Sequence, residues 1–263
     1  IVGYTGNKQA QEIVIDSLKK LEYRGYDSSG IALHEGKLVF SKKEGPIANL
    51  EKVLGTSDSK MAIAHTRWAT HGVPSDVNSH PHLSNDGKIA VVHNGTIDNY
   101  LDIKASLENE GFEFVSESDT EVIPNLLSKY YNGDLVKAMS KILSDIEGIY
   151  TIAAIHVDNP EQIVSVRQET PLVIGLGNGE NYVASDIYAI LKYTQQIIYP
   201  DDHQIVSVSP NEINVYGEDL SEIDYEIETV EKYTEVAEKG GFEHFMLKEI
   251  YEQPKALQDS QTE

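Results

Sequence analysis

Hydrophobic positions along the chain change their period several times. Ile1-Val2-Gly3-Tyr4 is a short apolar run that reads as a strand, whereas Ile13, Val14, Leu18 and Leu21 recur at helical spacing within residues 9–23. Residues 30–34 and 37–40, joined by Glu35-Gly36, predict a strand, a tight turn and a second strand. A short helix is expected over 47–54, and buried strands over 61–65 and 89–93. Between these two strands, residues 66–88 carry Gly72, Pro74, Pro81, Gly87 and three histidines, the punctuation of a functional loop over a sheet end. Helices follow at 99–110, 119–131 and 135–143. Strands then dominate, at 151–157, 162–167, 172–176, 181–184, 204–208 and 212–216, with a helix over 186–192 between them.

Strict β-α-β alternation is missing. The pattern therefore argues against a doubly wound parallel sheet and for antiparallel sheets with helices packed outside, an α+β fold. Residues 221–241 are acidic and polar, like a linker or surface arm, and apolar spacing returns over 242–252 before Pro254. This divides the chain into a core at 1–220 and an acidic arm with an exit segment at 221–263.

Composition narrows the function classes. The sequence of 263 residues is 40% hydrophobic and 24% charged, ordinary values for a globular protein, and carries a net charge of -22. That charge repels phosphate backbones and anionic membranes, so no nucleic-acid or membrane partner is expected. No apolar run approaches the roughly 18 residues of a membrane span. The first residues lack the features of a signal peptide, which makes cytoplasmic location the expectation. There are no cysteines, so this sequence itself supplies no disulfide, zinc-thiolate site or thiol nucleophile.

Five stretches carry candidate chemistry, and four of them have a plain structural alternative. In His65-Thr66-Arg67-Trp68-Ala69-Thr70-His71-Gly72, Arg67 offers a planar fork for a carboxylate, Thr70 and His71 add polar groups, and Trp68 can close over a small ligand. The plain reading is a surface Arg beside a core Trp. Asn94-Gly95 between apolar residues is a strong hairpin signal, yet the Asn94 amide with the Gly95 N–H also suits an oxyanion hole. Ser118 and Glu121 have capping-box spacing, which leaves Asp119 in the first turn with a carboxylate suited to an ammonium group. Residues 21–30, with Arg24, Asp27 and Ser28, form either a self-satisfied turn or a support beside a site. His80-Pro81-His82 invites a metal reading, but no acidic cluster completes it in sequence.

Together these blocks resemble the glutaminase (class-II glutamine amidotransferase) domain of isomerising glutamine:fructose-6-phosphate amidotransferases. Tyr23-Arg24-Gly25-Tyr26-Asp27-Ser28, the 65–72 block, His80-Pro81-His82, His93-Asn94-Gly95 and Asp119-Thr120-Glu121 occur in that family in this order. Lys248-Glu249-Ile250-Tyr251-Glu252-Gln253-Pro254 resembles its exit toward the next domain. The resemblance implies an N-terminal-nucleophile hydrolase fold, a four-layer αββα sandwich with two antiparallel sheets. It implies hydrolysis of L-glutamine to glutamate and ammonia, with no cofactor and no metal, and a sugar-isomerase domain as partner in the full enzyme. Arg67, with Thr70 and His71, is then expected at the α-carboxylate and Asp119 at the α-ammonium. Asn94 and Gly95 are expected at the oxyanion and Trp68 against the site, with Arg24, Asp27 and His80 as supports behind them. The family's nucleophile is a cysteine that begins the chain as Cys-Gly, expected here upstream of Ile1. A noncatalytic glutamine-binding remnant and a metal-dependent amidohydrolase using His80 and His82 are the alternatives.

Overall fold

Every ladder between the strands runs antiparallel. The computed structural model describes residues 1–230 and 245–259. In chain order the elements are β1 (Val2–Thr5), α1 (Ala10–Lys19), β2 (Ser28–His34), β3 (Leu38–Glu44), α2 (Ile47–Glu51), β4 (Met61–Arg67), β5 (His82–Leu83) and β6 (Ile89–Ile97). There follow α3 (Tyr100–Asn109), α4 (Val122–Tyr130), α5 (Leu135–Ile142), β7 (Gly148–His156), β8 (Ile163–Gln168), β9 (Val173–Leu176) and β10 (Asn181–Ala184). The last are β11 (Gln196–Ile198), β12 (Ile205–Val208), β13 (Ile213–Tyr216), β14 (Glu228–Thr229) and α6 (Phe245–Asp259).

One sheet has eight strands in the order β14-β11-β9-β10-β1-β4-β2-β3, and the other six in the order β13-β12-β8-β7-β6-β5. Alternation along the strands builds three apolar layers, because successive side chains point to opposite faces. Met61 and Ile63 of β4 meet Ala90 and Val92 of β6, with Ala153 and Ile155 of β7, in the layer between the sheets. Their neighbours Ala62 and Ala64 face outward and receive Ile13, Val14 and Leu18 of α1. On the far side Ile89 and Val91 pack with Ile123 and Leu127 of α4 and Leu135 and Met139 of α5. Helices cover both outer faces, which gives the four-layer αββα arrangement.

The predicted elements reappear with revised limits. The expected helix at 119–131 opens as a 3-10 turn, Asp119–Glu121, before α4 begins. The expected helix at 186–192 is a single 3-10 turn, Ile187–Ala189. β5, β11 and β14 were not predicted. They are only two or three residues long and too short to show a period. β14 pairs with β11, so part of the acidic stretch after residue 220 lies in a sheet.

The chain divides into two compact units, residues 1–231 and 232–263. In the second, α6 runs through Pro254, where the sequence had predicted a stop. The rest of the predicted arm, at 231–241, and the start of the apolar stretch at 242–252 fall outside the described residues. No described helix is long and apolar enough to cross a membrane.

Candidate active site

Four strand ends and one 3-10 turn converge on a cavity of about 400 Å³. Its wall includes Ile1 at the start of β1, His65 and Arg67 at the end of β4, and Asn94, Gly95 and Thr96 near the end of β6. Asp119 and Thr120 enter from the 3-10 turn, and Ser185 from the end of β10. A larger, more open recess of about 630 Å³ lies by α5, β12 and β13, but it holds none of the residues picked out by the motifs.

Arg67 and Trp68 invert the plain reading of their motif. Arg67 is buried, 3% exposed, and Trp68 stands 58% exposed with its ring edge on Tyr26, centroids 5.9 Å apart. One Arg67 nitrogen, Nη2, donates to the carbonyls of His71 and Gly72 and so ties down the following loop. The other, Nη1, is buried with no partner. Burial pushes the guanidinium pKa down, while the charges of Asp119 and Asp27 oppose that shift. A buried, half-paired guanidinium favours an anionic ligand strongly.

Asp119 is buried beside the cavity, 3% exposed. Its Oδ2 accepts from the Ile97 N–H at 2.9 Å, and its Oδ1 lies 3.9 Å from His71 Nδ1. The capping box predicted from Ser118 and Glu121 forms only in part. Ser118 accepts from the Thr120 N–H at 3.3 Å, but Glu121 turns back to Val115 and Ser116, accepting from their N–H groups at 3.0 and 2.8 Å. The turn is thus capped from one side and braced from the other, which fixes Asp119 against β6.

Asn94-Gly95 is not a hairpin turn. Both residues lie inside β6, opposite Thr151 and Tyr150 of β7. Glycine is required at 95, because φ is 114° and a Cβ would lie 2.0 Å from the Ile149 carbonyl oxygen. Asn94 Oδ1 sits 2.7 Å from His65 Nε2.

The supports predicted behind the site divide into two groups. Arg24 donates to the Ser185 carbonyl at 3.0 Å and to Asp186 at 3.2 Å, while the Ile1 backbone nitrogen donates to Ser185 Oγ at 2.9 Å. Asp27 accepts from the Ala69 N–H at 3.0 Å and holds the loop carrying Trp68 and Thr70. Thr70 lines the cavity, whereas His71 stands behind its wall against Tyr100. His80 is buried, its ring 4.4 Å from that of His65, with Nε2 3.1 Å from Thr120 Oγ1. Among the described residues no group of three or more His, Asp or Glu side chains is placed to hold a metal ion.

Sequence reasoning assigned no role to His65, Ser185 or Asp186. His65 stood inside a quoted motif but looked like the end of a buried strand. Ser185-Asp186 had one visible signal: Asp186 caps the next turn by accepting from the Tyr188 N–H at 3.0 Å.

Residues 65–192 match the family described as a glutamine amidotransferase domain. The chain is 51% identical over 266 residues to glutamine--fructose-6-phosphate aminotransferase [isomerizing] of Caldanaerobacter subterraneus subsp. tengcongensis, covering 99% of this chain and 43% of that protein. Its counterpart in Aquifex aeolicus is 50% identical, with 99% and 44% covered. The chain thus spans less than half the length of these curated relatives. Among solved structures, glutamine phosphoribosylpyrophosphate amidotransferase from B. subtilis, complexed with ADP and GMP, superposes with a TM-score of 0.72 at 26% identity, covering 84% of this chain and 49% of that one. An allosteric regulatory enzyme of purine biosynthesis gives 0.74 at 27%, covering 82% and 48%. Fold, site and these likenesses agree: the chain belongs to the class-II glutamine amidotransferases, with an N-terminal-nucleophile hydrolase fold.

Proposed function

We propose that the chain hydrolyses L-glutamine to glutamate and ammonia, and that in a longer polypeptide a sugar-isomerase domain uses this ammonia to make glucosamine 6-phosphate from fructose 6-phosphate. The observation that carries this reading is the unpartnered Arg67 Nη1, buried in one cavity with the Asp119 carboxylate. A free amino acid presents both complementary charges. Arg67 takes its α-carboxylate, with Thr70 beside it, and Asp119 its α-ammonium. Asn94 and the Gly95 N–H face the side-chain carbonyl, and Trp68 closes over the opening. The location proposed for the enzyme is the cytoplasm.

The nucleophile we assign is a cysteine two residues ahead of Ile1, a residue of the cavity wall. Its sulfur attacks the amide carbon, and the carbonyl electrons move onto oxygen. That oxyanion collapses as the amide nitrogen takes a proton and leaves as ammonia. A thioester remains, and water cleaves it to glutamate and the thiol. The base is the cysteine's own α-amino group, with an unperturbed pKa of about 7.7–8.0. Two otherwise identical proteins test this assignment. One begins with a free Cys-Gly before Ile1, and the other keeps a residue ahead of the cysteine. Ammonia release is expected only from the first. Equal release from a protein without cysteine would overturn the mechanism and favour the metal reading.

A further inference from the structure

The role of Asn94 depends on which end of its amide faces the cavity, and its contact with His65 decides this. His65 follows Met61 and Ile63 on the face of β4 that looks toward the second sheet. Asn94 follows Ala90 and Val92 on the facing side of β6. The two side chains meet across the gap, His65 Nε2 lying 2.7 Å from Asn94 Oδ1. His65 is 3% exposed and packs nearly flat against His80, the planes 20° apart. His80 is itself held, because its Nδ1 accepts from the His93 N–H at 3.4 Å and its Nε2 lies 3.1 Å from Thr120 Oγ1. Burial holds His65 well below the usual imidazole pKa, so the ring is neutral.

A neutral imidazole has one N–H. His65 Nδ1 is buried with no partner. An orphaned buried N–H is rarer in proteins than an unsatisfied acceptor, so the proton belongs on Nε2. It then points at Asn94, and only the Asn94 oxygen can receive it. We infer that His65 is a positioning residue, whose Nε2–H pins Asn94 Oδ1 and thereby turns the Asn94 NH₂ group toward the cavity as the oxyanion donor. This rests on the glutaminase reading above. Without the pin, the amide can flip and present an oxygen to the oxyanion.

Two measurements test the pin. Long-range proton–nitrogen NMR of the histidine rings needs no variant, and should find His65 as the neutral Nε2–H tautomer from pH 6 to 8. An Nδ1–H tautomer or a cation there would overturn the inference. The second measurement uses the full-length enzyme with its N-terminal cysteine. His65→Leu should lower kcat for glutamine hydrolysis by about 10–100-fold with KM nearly unchanged, less than the about 10²–10³ of losing a donor outright. His65→Gln, whose amide nitrogen can sit where Nε2 sits, should recover most of that loss. Adding His65→Leu to Asn94→Ala should cost little more than Asn94→Ala alone, because one acts through the other. Multiplicative losses, or an unaffected kcat in His65→Leu beside an impaired Asn94→Ala, would overturn the positioning role and leave the glutaminase reading standing. An unimpaired Asn94→Ala enzyme would remove the oxyanion role and the pin together.

Discussion

Arg67 is assigned two tasks with one guanidinium, one structural and one proposed, and the variants separate them. Nη2 fastens the loop through the His71 and Gly72 carbonyls, while Nη1 is buried without a partner and is the group proposed to meet the ligand. Arg67→Ala should weaken glutamate binding by about 2–5 kcal/mol in titration calorimetry, the cost of removing one partner of a buried charge pair. Arg67→Lys keeps a charge but loses the fork, and should recover only part of that affinity. Unchanged binding by both variants would place the carboxylate elsewhere. Asn94→Ala should lower kcat by about 10²–10³ with KM little changed, as for loss of one oxyanion donor. A fall in thermal stability with kcat spared would instead mark Asn94 as a purely structural residue.

Between elements, the approach of the 66–88 loop to β2 tightly constrains the site. A Cβ on Gly30 would lie 2.1 Å from the His80 carbonyl oxygen and 2.9 Å from that of Ser41. Both are backbone atoms and cannot swing aside. Gly30→Ala should therefore cost about 1–3 kcal/mol in urea unfolding, and it should also reduce kcat, because His80 supports His65. An unfolding midpoint equal to that of the parent would show that the loop yields freely. This contact also marks the limit of what the sequence disclosed. The strand and helix periods of β1 to β4 and α1 were legible because they arise locally. Arg67, Asn94 and Asp119 were legible as chemistry from their residue types and motif order. The Asn94-Gly95 pair misled as a turn signal: the glycine serves a close approach to Ile149 within a continuous strand, a tertiary cause invisible to local pattern. His65 and Ser185 were missed for the same reason. Their partners stand 29 and 184 residues away.

For the whole molecule, a set of buried neutral imidazoles sets the response to acid. Burial holds His93 at about 4, and His65, His80 and His82 well below the ordinary 6.5. The unfolded chain protonates all four near pH 6.5 whereas the native chain does not, so acid favours unfolding. Their contribution is fully present above about pH 6.5 and is lost as pH falls. For His93 the loss runs from about 6.5 to about 4 and amounts to about 3 kcal/mol. Urea midpoints should thus fall steeply from pH 7 to pH 5. A flat profile across that range would mean that these rings gain protons in the folded state.

β1 lies in the interior of the eight-stranded sheet, between β4 and β10. Its residues pair with Met61–Ala64 on one side and Asn181–Ala184 on the other. A ribosome delivers these partners at very different times. Once β4 has emerged, β1 can settle against it, but its other flank stays an open template until more than a hundred further residues are made. Ile1 and Ser185 are 184 residues apart, so the cavity wall is among the last parts of this unit to be assembled during synthesis. A ribosome stalled before residue 181 should hold a nascent chain that aggregates on release and is sensitive to protease near its beginning. Stalling well beyond residue 231 should give protection there.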